Sequence, residues 1–352
     1  MTTIARVVAT AAIVVLATSV GGCGASAPTP TPISSTPATA APTATSSASR
    51  APTPIPIATG APLGDRLVAT ITVAKAPCAL AVDATSAWVT GGATSANDPA
   101  ELDRVDAATN AVVDRITLEG APCGVALGPD GRIWVAELVS GSVVAIDTSK
   151  RTVSGRIDNV GPALWDLKAG FGSIWVADRT AKQVLRIDPV TAKIVKRIDV
   201  GPLASGLAVL GDAVWVSDDT DSKIRRIDPA TNKVTGEIQL AGAPSWFADD
   251  GASGVVVAER GGGKVVVIDP AASSAGAPMP GWTDPLDGTV VDGVAFIPEG
   301  SPRKLGVFPI DGSSPVVFYA LPGAVNPFVA EPAFGDVWVL DYGSMKVWRI
   351  RP

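Results

Sequence analysis

Five carboxylates occupy one kind of place in this chain. Glu137, Asp178, Asp218, Glu259 and Asp341 each end a short apolar run, in WVAE, WVAD, WVSD, VVAE and WVLD. Gathered at one face, such acids would form a ring of hard oxygen ligands suited to Mg²⁺ or Ca²⁺. Each acid also stands just before a polar turn whose backbone amides it could accept. A base lies four or five positions further on in Lys182, Lys223, Lys264 and Lys346. The fixed place before a turn favours the second role, and no cofactor is otherwise implied. The chain contains no histidine, so a general acid or base titrating near neutrality would have to be another group. No catalytic residue is assigned.

The elements that position these acids are repeats. An apolar residue, Trp and Val recur at Trp88, Trp134, Trp175, Trp215 and Trp338, with Val256 filling the gap where Trp is lost. The intervals are 46, 41, 40, 41 and 82 residues, the last being two units of 41. One degenerate unit therefore falls around 291–325. In the third unit, 165–169, SIWVA, QVLRID and KIVKRIDV read as four strands. The second strand is apolar on consecutive residues, as expected of a strand covered on both faces. The fourth carries Lys196, Arg197 and Asp199, which discourage edge-to-edge pairing. Asp-Pro-x-Thr, at 188–191 and 228–231, is a turn in which Asp accepts local amides and Pro presets φ. Units of this length and composition predict an all-β fold, a seven-bladed β-propeller of four-stranded blades over residues 63–352. The C-terminal unit lacks a fourth strand, and DRLVATITV at 65–73 is expected to supply it and close the last blade.

One position near the start of the first strand does not repeat. It is Cys78, Cys123, Trp165, Ser205, Ser245, Asp292 and Phe328 in successive units, with Asp166, Trp246 and Phe247 alongside. First strands lie nearest a propeller's axis, so these residues are expected to line one mouth of the channel. There they either hold a small ligand or plug the opening. Cys78 and Cys123 occupy equivalent places in adjacent units, as a disulfide or as two buried thiols. The Gly- and Pro-rich stretch 272–290 replaces a regular fourth strand and carries Trp282. That residue either meets a partner or folds back over the sheet edge.

RIDPATNKVTGEI, 226–238, resembles the YVTN-type β-propeller repeat of secreted and surface proteins. GVALGPDGRIWVAE, 124–137, is similar to the repeat of the streptogramin B lyase-like propellers. The likeness covers nearly all of 65–352 and implies the fold. For activity, the second resemblance implies a histidine general base, a glutamate and a bound Mg²⁺. With no histidine present, lyase chemistry is disfavoured.

The N-terminal segment reads as an export signal. Arg6 precedes an apolar run from Val7 to Val20, about the length of a signal-peptide core and short for a membrane span. VGGC, 20–23, resembles a bacterial lipobox, which implies cleavage after residue 22 and lipidation of Cys23. Residues 24–62 hold nine prolines, fourteen Ser or Thr and one charge, Arg50. That composition cannot offset ordering entropy, so 23–62 is expected to be a lipid-anchored disordered linker. Without Arg6 and Arg50 the rest carries 26 basic against 34 acidic residues, a charge of about −8, which argues against nucleic-acid partners. The expectation is an exported lipoprotein on the outer face of the bacterial cytoplasmic membrane, held by lipid at Cys23. Its propeller would act as a binding module for a protein or small-molecule ligand. The alternative is a lyase or lactonase-type enzyme with a carboxylate-held divalent metal, and a structural envelope protein is a third reading.

Overall fold

The computed structural model describes residues 60–92, 100–251, 255–259 and 262–352. The expected signal peptide, Cys23 and nearly all of the linker lie outside them. Within them the fold is all-β. The third repeat shows how each unit is built: Leu164–Gly170, Ser173–Asp178, Gln183–Asp188 and Lys193–Asp199 pair antiparallel in chain order. The second strand is buried along its whole length and the fourth is mostly exposed, which is why one is apolar throughout and the other charged. The repeating Trp88, Trp134, Trp175, Trp215 and Trp338 are essentially fully buried. They fill the space between stacked sheets, where apolar area leaves water. Inner strands contact one another in chain order, and the last meets the first, so the sheets close radially into a β-propeller.

The expected seven four-stranded blades require correction. Five four-stranded sheets stand as separate blades, and the remaining strands form a single nine-stranded sheet. Two features join them. Pro244–Asp249 pairs in parallel with Gly288–Val291 through Ala248 with Gly288 and Asp249 with Thr289. Gly288 permits that approach, because a Cβ there would lie 3.2 Å from the Ala248 side chain and 2.6 Å from the Phe296 carbonyl oxygen. Ala61–Pro62, placed in the linker by composition, adds a short parallel strand against Tyr319 and Ala320. The disturbed repeat at 272–290 is where the regular pattern gives way. Its Trp282 is buried against Phe308 and Phe318, at 5.8 and 5.1 Å between ring centroids, so the loop folds back over the sheet.

Leu67–Thr72 pairs antiparallel with Lys346–Ile350 and completes the C-terminal blade. Neighbouring sheets are also clamped by a recurring arginine of the third strand. Arg186 lies over the Trp175 ring at 5.0 Å and donates to the Pro229 carbonyl at 2.6 Å and to Asn232 Oδ1 at 2.8 Å. Arg349 does the same over Trp338, donating to the Ala107 carbonyl and to Asn110 Oδ1. The acceptors belong to the Asp-initiated turn of the next sheet, where Asp228 takes the Ala230 amide and Asp106 those of Ala108 and Thr109. Replacing Arg186 by alanine removes two charge-assisted hydrogen bonds to the next sheet, two more within its own to Ser173 and Phe171, and a cation–π contact. A loss of about 2 kcal/mol is expected in urea unfolding, and a loss below the resolution of the measurement would refute the clamp.

Candidate functional site

The five strand-ending acids do not converge. All are buried to within 1% of full burial, and each bonds to backbone near its own sheet. Asp341 accepts the amides of Val325, Asn326 and Gly343 at 2.7, 2.7 and 2.9 Å. Asp218 accepts those of Leu203, Thr220 and Asp221 and pairs with Arg225 at 3.1 Å. Glu137 takes the Glu119 amide and Ser140 hydroxyl and pairs with Arg156. Asp178 takes the Ala181 amide and Glu259 that of Gly242. In four of the five, Asp178 being the exception, the partners include an amide of the loop leading into the inner strand of the same sheet. Glu299, which ends the corresponding strand of the degenerate unit, does likewise through the Thr283 amide. Among the described residues no group of three or more His, Cys, Asp or Glu could hold a metal ion. The acids tie turns and loops to the ends of their strands, and among the described residues they do not gather as a ring of metal ligands.

The expected channel mouth is assembled but filled. Trp165 and Trp246 stack at 6.0 Å, and Phe328 meets Trp246 edge-on at 5.6 Å. Leu286 and Ala258 complete this cluster, and the Arg179 guanidinium lies 4.8 Å over Trp165. Cys78 and Cys123 are joined in a disulfide with Cα atoms 5.0 Å apart. Ser205 and Ser245 are buried, the latter's carbonyl accepting the Ser217 hydroxyl. Asp166 is turned to structure, accepting the amides of Leu167 and Leu207 at 2.7 Å each. Asp292 must be corrected. It sits in the turn after Gly288–Val291, at the opposite end of the inner strand, with φ 49°. Cross-strand register puts Leu286 beside Trp165, Ser245 and Phe328 instead. The degenerate unit displaced the alignment by half a strand.

The opposite end of the same inner strands is open. A cavity of about 640 Å³ is lined by Lys168, Ala169, Val209, Asp249, Asp250, Val290, Asp292 and Glu331 among others. Lys168 Nζ reaches Glu331 Oε1 at 3.4 Å from a sheet 163 residues distant in sequence. Burial works against the Lys168 charge, yet the combined fields of Glu331, Asp166, Asp287 and Asp249 raise its pKa well above the ordinary lysine value. Burial raises the pKa of Asp287 well above the usual range and those of Glu331 and Asp249 above theirs. The Lys168 charge opposes all three rises, while the acids reinforce one another's. Four carboxylates thus share the field of one ammonium in a low-dielectric space.

Sequence reasoning missed Lys168, Asp249, Asp287 and Glu331. A signal for two of them was present. The inner-strand residue facing the repeated tryptophan or its substitute is Ala81, Ala126, Ala208 or Ala248 in four sheet units, but Lys168 and Glu331 in two others. A small residue is the rule there, and an ion pair across the axis is the exception.

No family model and no curated protein matches the chain. Solved structures do. The chain is 15% identical to virginiamycin B lyase from Staphylococcus aureus, with a TM-score of 0.67 over 79% of this chain and 95% of that one. A streptogramin B lyase structure is 16% identical at a TM-score of 0.64, covering 79% and 93%. Hydrazine synthase from Kuenenia stuttgartiensis is 17% identical at 0.65, covering 79% and 96%. At such identities the likeness shows the fold alone, a β-propeller. The differing names among these neighbours accord with a scaffold that carries unrelated activities.

Proposed function

We propose that this chain is an exported lipoprotein whose β-propeller binds a small molecule in the open axial cavity. The observation that carries the reading is the pairing of Lys168 with Glu331 inside a 640 Å³ space at one end of the inner strands. Concave sites of this size, with apolar walls and a few convergent polar groups, suit small ligands. The aromatic packing of Trp165, Trp246 and Phe328 supports this end over the other, because it leaves the opposite mouth filled. The lyase named among the structural neighbours is not carried over. The chain has no histidine, and its recurrent acids are engaged by backbone amides.

Two experiments test the two halves. Thermal-shift screening of the full chain against a small-molecule library should yield stabilisers, since ligands that bind the native state raise its stability. Ala169→Trp, which fills the cavity, should abolish their effect. Stabilisers that act equally on Ala169→Trp bind elsewhere and overturn the cavity reading. For the anchor, metabolic labelling of the producing bacterium with an alkyne fatty acid should tag the protein, and Cys23→Ala should remove the tag. Labelling that survives Cys23→Ala removes the lipoprotein reading.

A further inference from the structure

One seam between sheets lacks the arginine clamp. By cross-strand register an arginine faces the repeated tryptophan in four sheets, as Arg104, Arg186, Arg226 and Arg349 opposite Trp88, Trp175, Trp215 and Trp338. In three of the four the guanidinium lies over the indole, and its Nε donates to Ser86, Ser173 or Asp336, two residues before the tryptophan. In the sheet of Trp215 that place is the buried Ala213, whose side chain offers no acceptor. Arg226 accordingly turns outward, to Asp212 at 2.8 Å and Thr235 Oγ1 at 2.7 Å. The receiving turn is altered too, with Ser273 where Asn110 and Asn232 accept at clamped seams. A cavity of about 170 Å³ is left there, lined by Gly211, Asp212, Trp215, Asp269 and Pro270 among others, with no cation in its wall among the described residues.

We infer that this vacant seat receives an arginine residue of a polypeptide partner, at a site separate from the axial cavity. Three features select that class. The fold itself places a guanidinium at the equivalent point of other seams, where the Pro189 and Pro229 carbonyls accept from Arg132 and Arg186. Pro270 holds the same place in its own Asp-Pro turn, and planar donors suit such acceptors better than a point charge does. Charge agrees: Asp212 is 85% exposed on its side chain, Asp269 stands across the cavity, and the chain carries a formal net charge of −6. The third feature is an unmet donor. Trp88, Trp134 and Trp175 give their indole N–H to Asp83, Asp130 and the Gly170 carbonyl, whereas Trp215 Nε1, in a residue 1% exposed, has no partner among the described residues. An occupant therefore needs an acceptor beside its cation, which an amino-acid residue supplies through its own carbonyl and a simple ammonium or metal ion does not. A volume well below that of a drug-sized pocket fits one side chain.

The probes are N-acetyl-arginine N-methylamide and its neutral citrulline counterpart, titrated into the ¹⁵N-labelled full chain at neutral pH while the Trp215 indole N–H resonance is followed. The arginine probe should move that resonance and bind about tenfold more tightly than the citrulline probe. Arg226→Ala removes the competing cation from Asp212 and should strengthen arginine binding by about threefold. Ala213→Ser combined with Ser273→Asn restores both missing acceptors, so Arg226 returns over Trp215 and fills the seat itself. That double variant should melt higher than the wild type and no longer respond to the arginine probe. Should it not fold, Ala271→Trp, which fills the cavity from the facing turn, should abolish the response in its place. Equal binding of the two probes overturns the arginine assignment. So does an indole resonance that stays still at the highest soluble concentration, or a response that survives the filled variants.

Discussion

Replacing Cys78 and Cys123 together by alanine is expected to lower the stability of the propeller by about 4 kcal/mol. The bond closes a segment 45 residues long in sequence, and opening it returns that loop's freedom to the unfolded chain. Its placement adds to the effect. The two cysteines open the inner strands of the first and second sheets, beside the junction with the C-terminal sheet that Leu67–Thr72 completes. Both are buried, and alanine occupies either site without introducing a polar group. Urea unfolding of wild type and of the double variant reads the difference directly. If alkylation of the folded protein without reductant labels both thiols, or if the two midpoints coincide, the cross-link contributes nothing and the prediction fails.

The second large effect is expected at Asp341. Three backbone amides, those of Val325, Asn326 and Gly343, point at its carboxylate. Asp341→Ala strands all three donors in a site that the native fold closes to water. Each unsatisfied donor costs on the order of 1–3 kcal/mol, so a loss of about 3 kcal/mol or more should follow. Asp341→Asn keeps one acceptor oxygen and should recover part of the loss. A metal-binding role would give a different pattern, with stability responding to Mg²⁺, Ca²⁺ or EDTA in the wild type and not in the variant. The latch assignment requires that the wild-type melting temperature be indifferent to all three at millimolar concentration.

The charged groups also set opposite dependences on pH. Asp188 and Asp228 have pKa values held down, chiefly by the Val190 amide in one and the Thr231 hydroxyl in the other. Their contribution is present above the unfolded carboxylate value and is lost as pH falls through the folded one. Asp287 and Glu331 run the other way, because burial raises them. The folded state holds their protons more tightly, so their ionisation removes stability as pH rises from the unfolded value through the raised one. Asp287→Asn should flatten the alkaline side of the stability profile and leave the acid limb unchanged.

Much of this was legible before any coordinates. The repeat of about 41 residues marks the strand pattern, since a unit repeats when each copy must meet the same neighbours. Buried second strands, charged outer strands and Asp-initiated turns all follow from residues within one unit. The missing fourth strand at the C-terminus pointed to 65–73, and Leu67–Thr72 is found there. The strand-ending acids were read as turn acceptors or metal ligands, and each accepts a nearby backbone amide.

What failed is equally local in origin. Residues 272–290 have no clean period, so the alignment slid, Asp292 was taken for Leu286, and the merged nine-stranded sheet was read as regular blades. That sheet depends on Gly288 and Ala248 approaching across two units, a contact that no spacing within either unit records.

The sequence by itself determined the repeating architecture, because a repeat encodes contacts each unit makes with its own turns and adjoining sheets. Only the tertiary structure decided which non-repeating side chains meet around the axis. Closing the sheets radially brings Lys168 to Glu331, 163 residues away, and packs Trp165 on Trp246. Residues at the axis are contributed one per inner strand, so their meeting is a property of closure and not of any stretch of chain.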